Sequence, residues 1–242
     1  MIKKRSAGFT LLEMAIVMMI IGILFSIISL SGNLIMQARV RRLIVELNQY
    51  QKAIDTFRDQ YQTAIPGDFS NAFAIWDTSC APSAAACNGN NDSIIQWSNA
   101  TTGVEAWLAW KHLSLSQLIS GNYTGVATVS GQSDIGVNIP ASTWPAAGVE
   151  LYTGATTPSG ATGLALQIAG ANPGFSANNP TVMTPKEALA LDIKMDDGIG
   201  GGGAIQAYNR GSSNTCVGTD NLTYNTQLSS KVCYIKYFLL WP

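Results

Sequence analysis

Between Arg5 and Arg39 the chain has one charged residue, Glu13. It has one histidine, His112, and no proline before Pro66. Charged residues make up only 12% of the whole. Each scarcity excludes something. A lone histidine with no nucleophile beside it in sequence gives no Ser/His/Asp or Cys/His set, so the chain does not read as an enzyme. His112 is expected to be a polar or partly packed helix residue. The four cysteines, Cys80, Cys87, Cys216 and Cys233, contain no CxxC pair. With a single histidine, that spacing argues against zinc. Gly198 to Gly203 is glycine-rich, but no GK[ST] follows it and no strand clearly precedes it, which argues against a phosphate cradle. The formal charge of −1 lacks the basic footprint of a nucleic-acid binder.

The N-terminus carries what the rest of the chain lacks. Lys3, Lys4 and Arg5 precede Met14 to Leu30, a run almost wholly of Ile, Leu, Met, Val, Ala and Phe. About 20 apolar residues are enough to cross a bilayer as a helix. A secretory signal has a shorter apolar core, roughly 7–15 residues, with its small-residue cleavage site after it. Here the small residue, Gly8, comes before. A plain signal anchor accounts for the length and for the basic residues on the cytoplasmic side. It does not account for Glu13, whose carboxylate costs roughly 2.5 kcal/mol or more in lipid without a partner.

Gly8-Phe9-Thr10-Leu11-Leu12-Glu13 resembles the class III signal of type IV pilins and of the pseudopilins of type II secretion. The resemblance implies a leader of residues 1–8, cut by a prepilin peptidase between Gly8 and Phe9, with Phe9 then N-methylated. It implies a long N-terminal helix over 9–62, of which 9–36 forms the membrane span and later the filament core, and a globular head over 63–242. The fold implied is the α+β pilin fold, with the helix packed on a head containing an antiparallel sheet. The function implied is a homopolymeric filament subunit, served by an inner-membrane assembly platform and ATPase. The chain would be an inner-membrane precursor and then part of an extracellular fimbrium or a periplasmic pseudopilus. Minor pilin and pseudopilin are the alternatives within the family, and a membrane-anchored enzyme is the alternative outside it. Glu13 lies one helical turn from the new Phe9 amine, so the two charges can pair within or between chains. Many family members carry a proline in the apolar half; this chain has Gly32 there instead. Removing residues 1–8 leaves 11 basic groups against 15 acidic ones.

Val40, Leu43, Ile44, Leu47, Tyr50, Ile54, Phe57 and Tyr61 follow a three-four spacing, which predicts one apolar stripe on an amphipathic helix. Arg39, Arg41, Arg42, Glu46, Gln49, Lys52, Asp55 and Asp59 lie largely off it. Pro66-Gly67 ends the helix, Asp68 caps a short helix reaching Trp76, and Thr78 to Asp92 reads as a surface loop. Glu105 to Ile119 reads as a second helix. Gly148–Tyr152, Leu164–Ile168, Ile205–Tyr208 and Val232–Leu240 read as strands. Thr184-Pro185-Lys186-Glu187 opens a helix running to about Met195. In an oxidising compartment the four cysteines allow three pairings. Cys80–Cys87 and Cys216–Cys233 are favoured because each brackets a local polar loop. Asp192, Asp196 and Asp197 form the one acidic cluster. It reads as a structural turn or, because some pseudopilins bind calcium in the head, as a calcium site. It lacks the EF-hand spacing.

Overall fold

The computed structural model describes residues 8–98, 100–154, 163–170, 172–173, 181–209 and 215–239. For residues 26–31, 33, 154, 172 and 173 it describes the backbone alone. Helix α1 spans Leu11–Gln60, and the chain divides into two compact units, Met1–Arg39 and Val40–Pro242.

In the first unit the apolar side chains of α1 face outward all round. Ile16, Ile20, Ile23 and Leu24 are about half exposed and Phe25 more so. Among the described residues no helix is long and apolar enough to cross a membrane. The apolar run of the sequence continues to Leu30, and the side chains of residues 26–31 lie outside the described set.

In the second unit α1 keeps a single buried stripe. Val40, Leu43, Leu47, Ile54 and Phe57 are fully buried, as the three-four spacing predicts. Helix α2 covers Ala72–Trp76, α3 Ala84–Cys87, α4 Glu105–Leu115 and α5 Pro185–Met195. Strand β1 is Gln132–Ser133, β2 Gly148–Gly154, β3 Gly163–Ala169, β4 Asn172–Pro173, β5 Ile205–Asn209 and β6 Cys233–Phe238. The main sheet has the order β2-β3-β6-β5 with every pair antiparallel, and β1 pairs with β4 apart from it. Val149, Leu151, Leu166, Ile168, Ile205 and Ile235 are buried. They share one face, because alternate strand residues point the same way. Tyr237, also on that face, donates from its hydroxyl to Gln51 Oε1 on α1 at 2.6 Å. Both disulfides are the local ones, Cys80–Cys87 and Cys216–Cys233.

Several boundaries and roles differ from the sequence reading. Helix α1 ends at Gln60, before Pro66 is reached, because Gln62 and Thr63 turn to positive φ (55° and 69°). Helix α4 ends at Leu115 rather than Ile119. Gln117 has φ 58°, and Leu118 N donates back to Leu113 O at 3.1 Å, a left-handed stop of the kind that satisfies terminal carbonyls. Asp68 does not cap α2. Its carboxylate accepts from Asp92 N (3.1 Å) and Ser93 N (2.8 Å), pinning a distant loop. Thr78 to Asp92 is not simply surface, because Cys80 and Cys87 are buried and α3 lies within it. Glu46 is not on an open face. It is 6% exposed and accepts from Ser142 Oγ, Thr143 N and Thr143 Oγ1.

His112 departs furthest from expectation. It is fully buried, 5.3 Å from the Trp76 ring and stacked 6.4 Å from Phe57. Gly67 N donates to its Nδ1 at 3.0 Å, so its proton sits on Nε2, which faces Cys87 O at 2.9 Å. Gly67 has φ 96°, and a Cβ there would lie 2.4 Å from Glu105 O, so glycine is required for this approach. Burial is the main cause that pushes His112 down to about 4. Its folded value lies below the unfolded one, so its contribution is complete above pH ~6.5 and is lost as pH falls toward 4, on the order of 3 kcal/mol in all. We predict that His112→Gln is less stable than wild type at pH 7 and that the gap narrows toward pH 4.5. Urea unfolding at the two pH values measures this, and a constant gap would refute it.

Candidate functional site

Gly8 and Phe9 precede the first turn of α1, outside regular structure and exposed; Phe9 is 84% exposed. Thr10 stands at the N-cap position, since α1 begins at Leu11. Glu13 N donates to Thr10 Oγ1 at 3.3 Å, while Thr10 N and Oγ1 donate to Glu13 Oε2 at 2.8 and 2.9 Å. This is a capping box, which satisfies helix-end donors reciprocally. The carboxylate also sits where the macrodipole favours negative charge. So Glu13 has a local partner in Thr10, one residue from Phe9. Thr10 has a role that a reading centred on Glu13 missed, although the signal, Thr-x-x-Glu before an apolar run, is legible in the sequence.

The acidic cluster lies at the other end of the chain, where α5 runs out. Thr184 opens α5 with a second capping box, with Pro185 in the first turn. At its C-terminus Asp192, Asp196 and Asp197 bring carboxylate oxygens within 4.8 Å of one another. Asp192 is fully buried and accepts from Tyr224 Oη at 2.8 Å and Gly198 N at 3.1 Å. Asp196 accepts from Ala204 N and Ile205 N, and Asp197 from Ile199 N at 2.8 Å. The three therefore fold residues 198–205 back over the helix end. Tyr224 lies inside the Cys216–Cys233 loop, so Asp192 ties that loop to α5. Desolvation pushes Asp192 up to about 6, against the hydrogen bonds that hold its charged form. Calcium takes six to eight oxygen ligands. Here several carboxylate oxygens already accept from backbone and hydroxyl donors, which favours the turn.

A second acidic group was not singled out from sequence. Asp68, Asp92 and Glu105 also approach one another. Glu105 accepts from Asn90 N at 3.1 Å and Gln96 N at 2.8 Å. With Asp68 it organises residues 90–96 as hydrogen-bond acceptor, and burial pushes both carboxyls up. The three are separated by up to 37 positions in sequence, so no local pattern announces them.

Residues 3–29 match the family model of the prokaryotic N-terminal methylation motif. They form the class III signal of type IV pilins and pseudopilins. The α+β architecture, an N-terminal helix followed by an antiparallel four-stranded sheet, is consistent with a pilin fold. The motif points to a structural subunit rather than to an enzyme. No curated protein and no solved structure matches the chain.

The donor pattern at Asp196 gives a prediction. Asp196→Ala removes the acceptor for two backbone amides and should destabilise the head by about 1–3 kcal/mol. Addition of calcium should leave the thermal midpoint of the wild type unchanged. A calcium-dependent rise that Asp196→Ala abolishes would establish a cation site instead.

Proposed function

We propose that the chain is the subunit of an extracellular type IV pilus-like filament, a homopolymer assembled through its N-terminal helix. The observation that carries this reading is the methylation motif over residues 3–29, set on a helix whose apolar side chains are exposed. Each Leu, Ile or Phe taken out of water contributes roughly 1.5–3 kcal/mol. A handful of them is enough to outweigh the cost of association, estimated at about 4–15 kcal/mol. The apolar helices from Phe9 to about Met36 span the membrane in the precursor and bundle in the filament, with the heads facing solvent. A prepilin peptidase cuts at Gly8, and an inner-membrane platform with its ATPase drives assembly.

Cleavage adds an amine at Phe9, one residue from the capping box. An ion pair between this amine and Glu13 supplies each buried charge with a partner in a low-dielectric core, where an unpaired one is costly. The C-terminal Cys216–Cys233 loop favours a pilin over a shorter pseudopilin. Closing that loop stabilises the head by about 3 kcal/mol in the chain-entropy model.

Mass spectrometry of the mature chain is expected to begin at Phe9 with one added methyl group; retention of Met1 to Gly8 would overturn the reading. Glu13→Ala is expected to insert in the membrane yet fail to enter filaments, and normal incorporation would make the charge incidental. Cryo-electron microscopy of sheared filaments should show this chain along the whole length. Its presence at the tip alone would assign it as a minor pilin or pseudopilin.

A further inference from the structure

Helix α1 and the loop at residues 141–143 border a groove of about 490 Å³ in the second unit. Arg41, Arg42, Val45 and Gln49 line it from α1, and Ala141 and Thr143 from the loop. It adjoins a hollow of about 570 Å³ that shares Gln49 and Ala141 and extends along α1 past Lys52. Arg41, Arg42 and Lys52 are exposed, and among the described residues none of the three has an ion pair or a side-chain hydrogen bond. Glu46 is the one carboxylate in either lining. It is already engaged, because its Oε2 accepts from Ser142 Oγ, Thr143 N and Thr143 Oγ1 at 3.0, 2.9 and 2.6 Å. The groove is therefore positive at the arginines, and apolar beside them, where Val45 is 56% exposed.

We propose that this groove holds the headgroup of an anionic phospholipid, with the phosphodiester on Arg41 and Arg42 and the headgroup carbons against Val45. Guanidinium groups suit the phosphodiester because their donors fork onto two oxygens. A free phosphate would engage the arginines but leave Val45 in water, whereas a phosphodiester carries carbon on either side to cover it. A zwitterionic headgroup needs a carboxylate for its ammonium, and Glu46 is committed to the loop.

The choice of a lipid rests on the reading of the chain as a membrane-inserted precursor. Arg41 follows Met36, the end of the proposed span, by five residues. Five residues of helix rise about 7.5 Å, and each headgroup layer is about 5–8 Å deep. The arginines of a precursor thus stand at the level of the phosphates, on the membrane face away from Lys3, Lys4 and Arg5. A headgroup held there gives the precursor a second hold on the membrane besides its span, one that is released when the chain enters the filament.

The test is native mass spectrometry of the full chain, released from detergent micelles that contain equal amounts of phosphatidylglycerol and phosphatidylcholine. One phosphatidylglycerol is expected to stay on the monomeric chain in preference to phosphatidylcholine. Each basic residue at an anionic surface strengthens binding roughly five-fold, so Arg41→Gln/Arg42→Gln should weaken retention about 25-fold. Val45→Glu, which sets a carboxylate beside the phosphate and leaves both arginines in place, should also lose the lipid. Lys186→Gln, which removes an exposed cation on α5, should keep it. Equal retention of the two lipids, or undiminished retention in the double arginine variant, would overturn the proposal. Displacement of the lipid by an equal concentration of inorganic phosphate would assign the groove to the free ion. A dimer that the double arginine variant abolishes, with phosphatidylglycerol retained equally by both chains, would give the groove to a second copy instead. Alkaline extraction of the expressing cells keeps the two readings apart. A chain washed off the membrane refutes the span, whereas a chain that stays in the membrane but retains no phosphatidylglycerol refutes the groove.

Discussion

The apolar surface of α1 before Val40 has no cover within the described chain, and the rest of the sequence is arranged around that fact. A helix apolar on every side is stable only in a membrane or packed among other helices. The first 39 residues accordingly form a unit of their own. Beyond Val40 the same helix narrows to a stripe, and the head closes over it through Val40, Leu43, Leu47, Ile54 and Phe57. The change in pattern therefore marks where the helix begins to pack against its own head.

Within the head, the end of α1 is fixed by rings rather than by charges. Trp76, Phe57 and Phe69 lie 5.3, 6.4 and 6.4 Å from the His112 ring, and Tyr61 packs on Phe57 and Phe69 at 4.5 and 5.2 Å. His112 supplies the side-chain hydrogen bonds described among these rings, one to Gly67 N and one to Cys87 O. It thereby joins α4 to the turn after α1 and to the Cys80–Cys87 staple. A neutral imidazole suits this place because it accepts on one nitrogen and donates on the other. Glutamine offers both functions but not the flat ring that stacks on Phe57.

The elements legible in the sequence were those with a local signature. The three-four stripe of α1, the capping box at Thr184 and the strands at the short apolar stretches from Gly148 and Leu164 all appear where the pattern places them. The methylation signal is equally local. What escaped were partnerships across long separations. Glu46 reaches residues 142–143 and Asp68 reaches residues 92–93. His112 reaches Gly67 and Cys87, and Lys236 finds its neighbours only through strand register. Periodicity records which side of an element turns inward; it does not record which loop crosses above it. The acidic residues after Asp192 were visible as a cluster, but their dependence on Tyr224 and the backbone of residues 198–205 was not.

These long-range contacts share a chemistry that follows from the scarcity of charge. A chain with 12% charged residues has few opportunities for ion pairs, and exposed pairs contribute little in any case, typically about 0–1 kcal/mol. Here the carboxylates are spent on backbone amides. Glu13 holds the start of α1 and Glu46 the 142–143 loop. Asp68 and Glu105 hold residues 90–96, and Asp192 and Asp196 hold residues 198–205. A buried N–H without an acceptor costs about 1–3 kcal/mol, so each such carboxylate allows a stretch of irregular chain to lie close to the core. Bonds of this kind act at short range and are screened by salt far less than surface charge pairs. A polar, weakly charged head can thus keep long irregular connections ordered while leaving few charges on its surface.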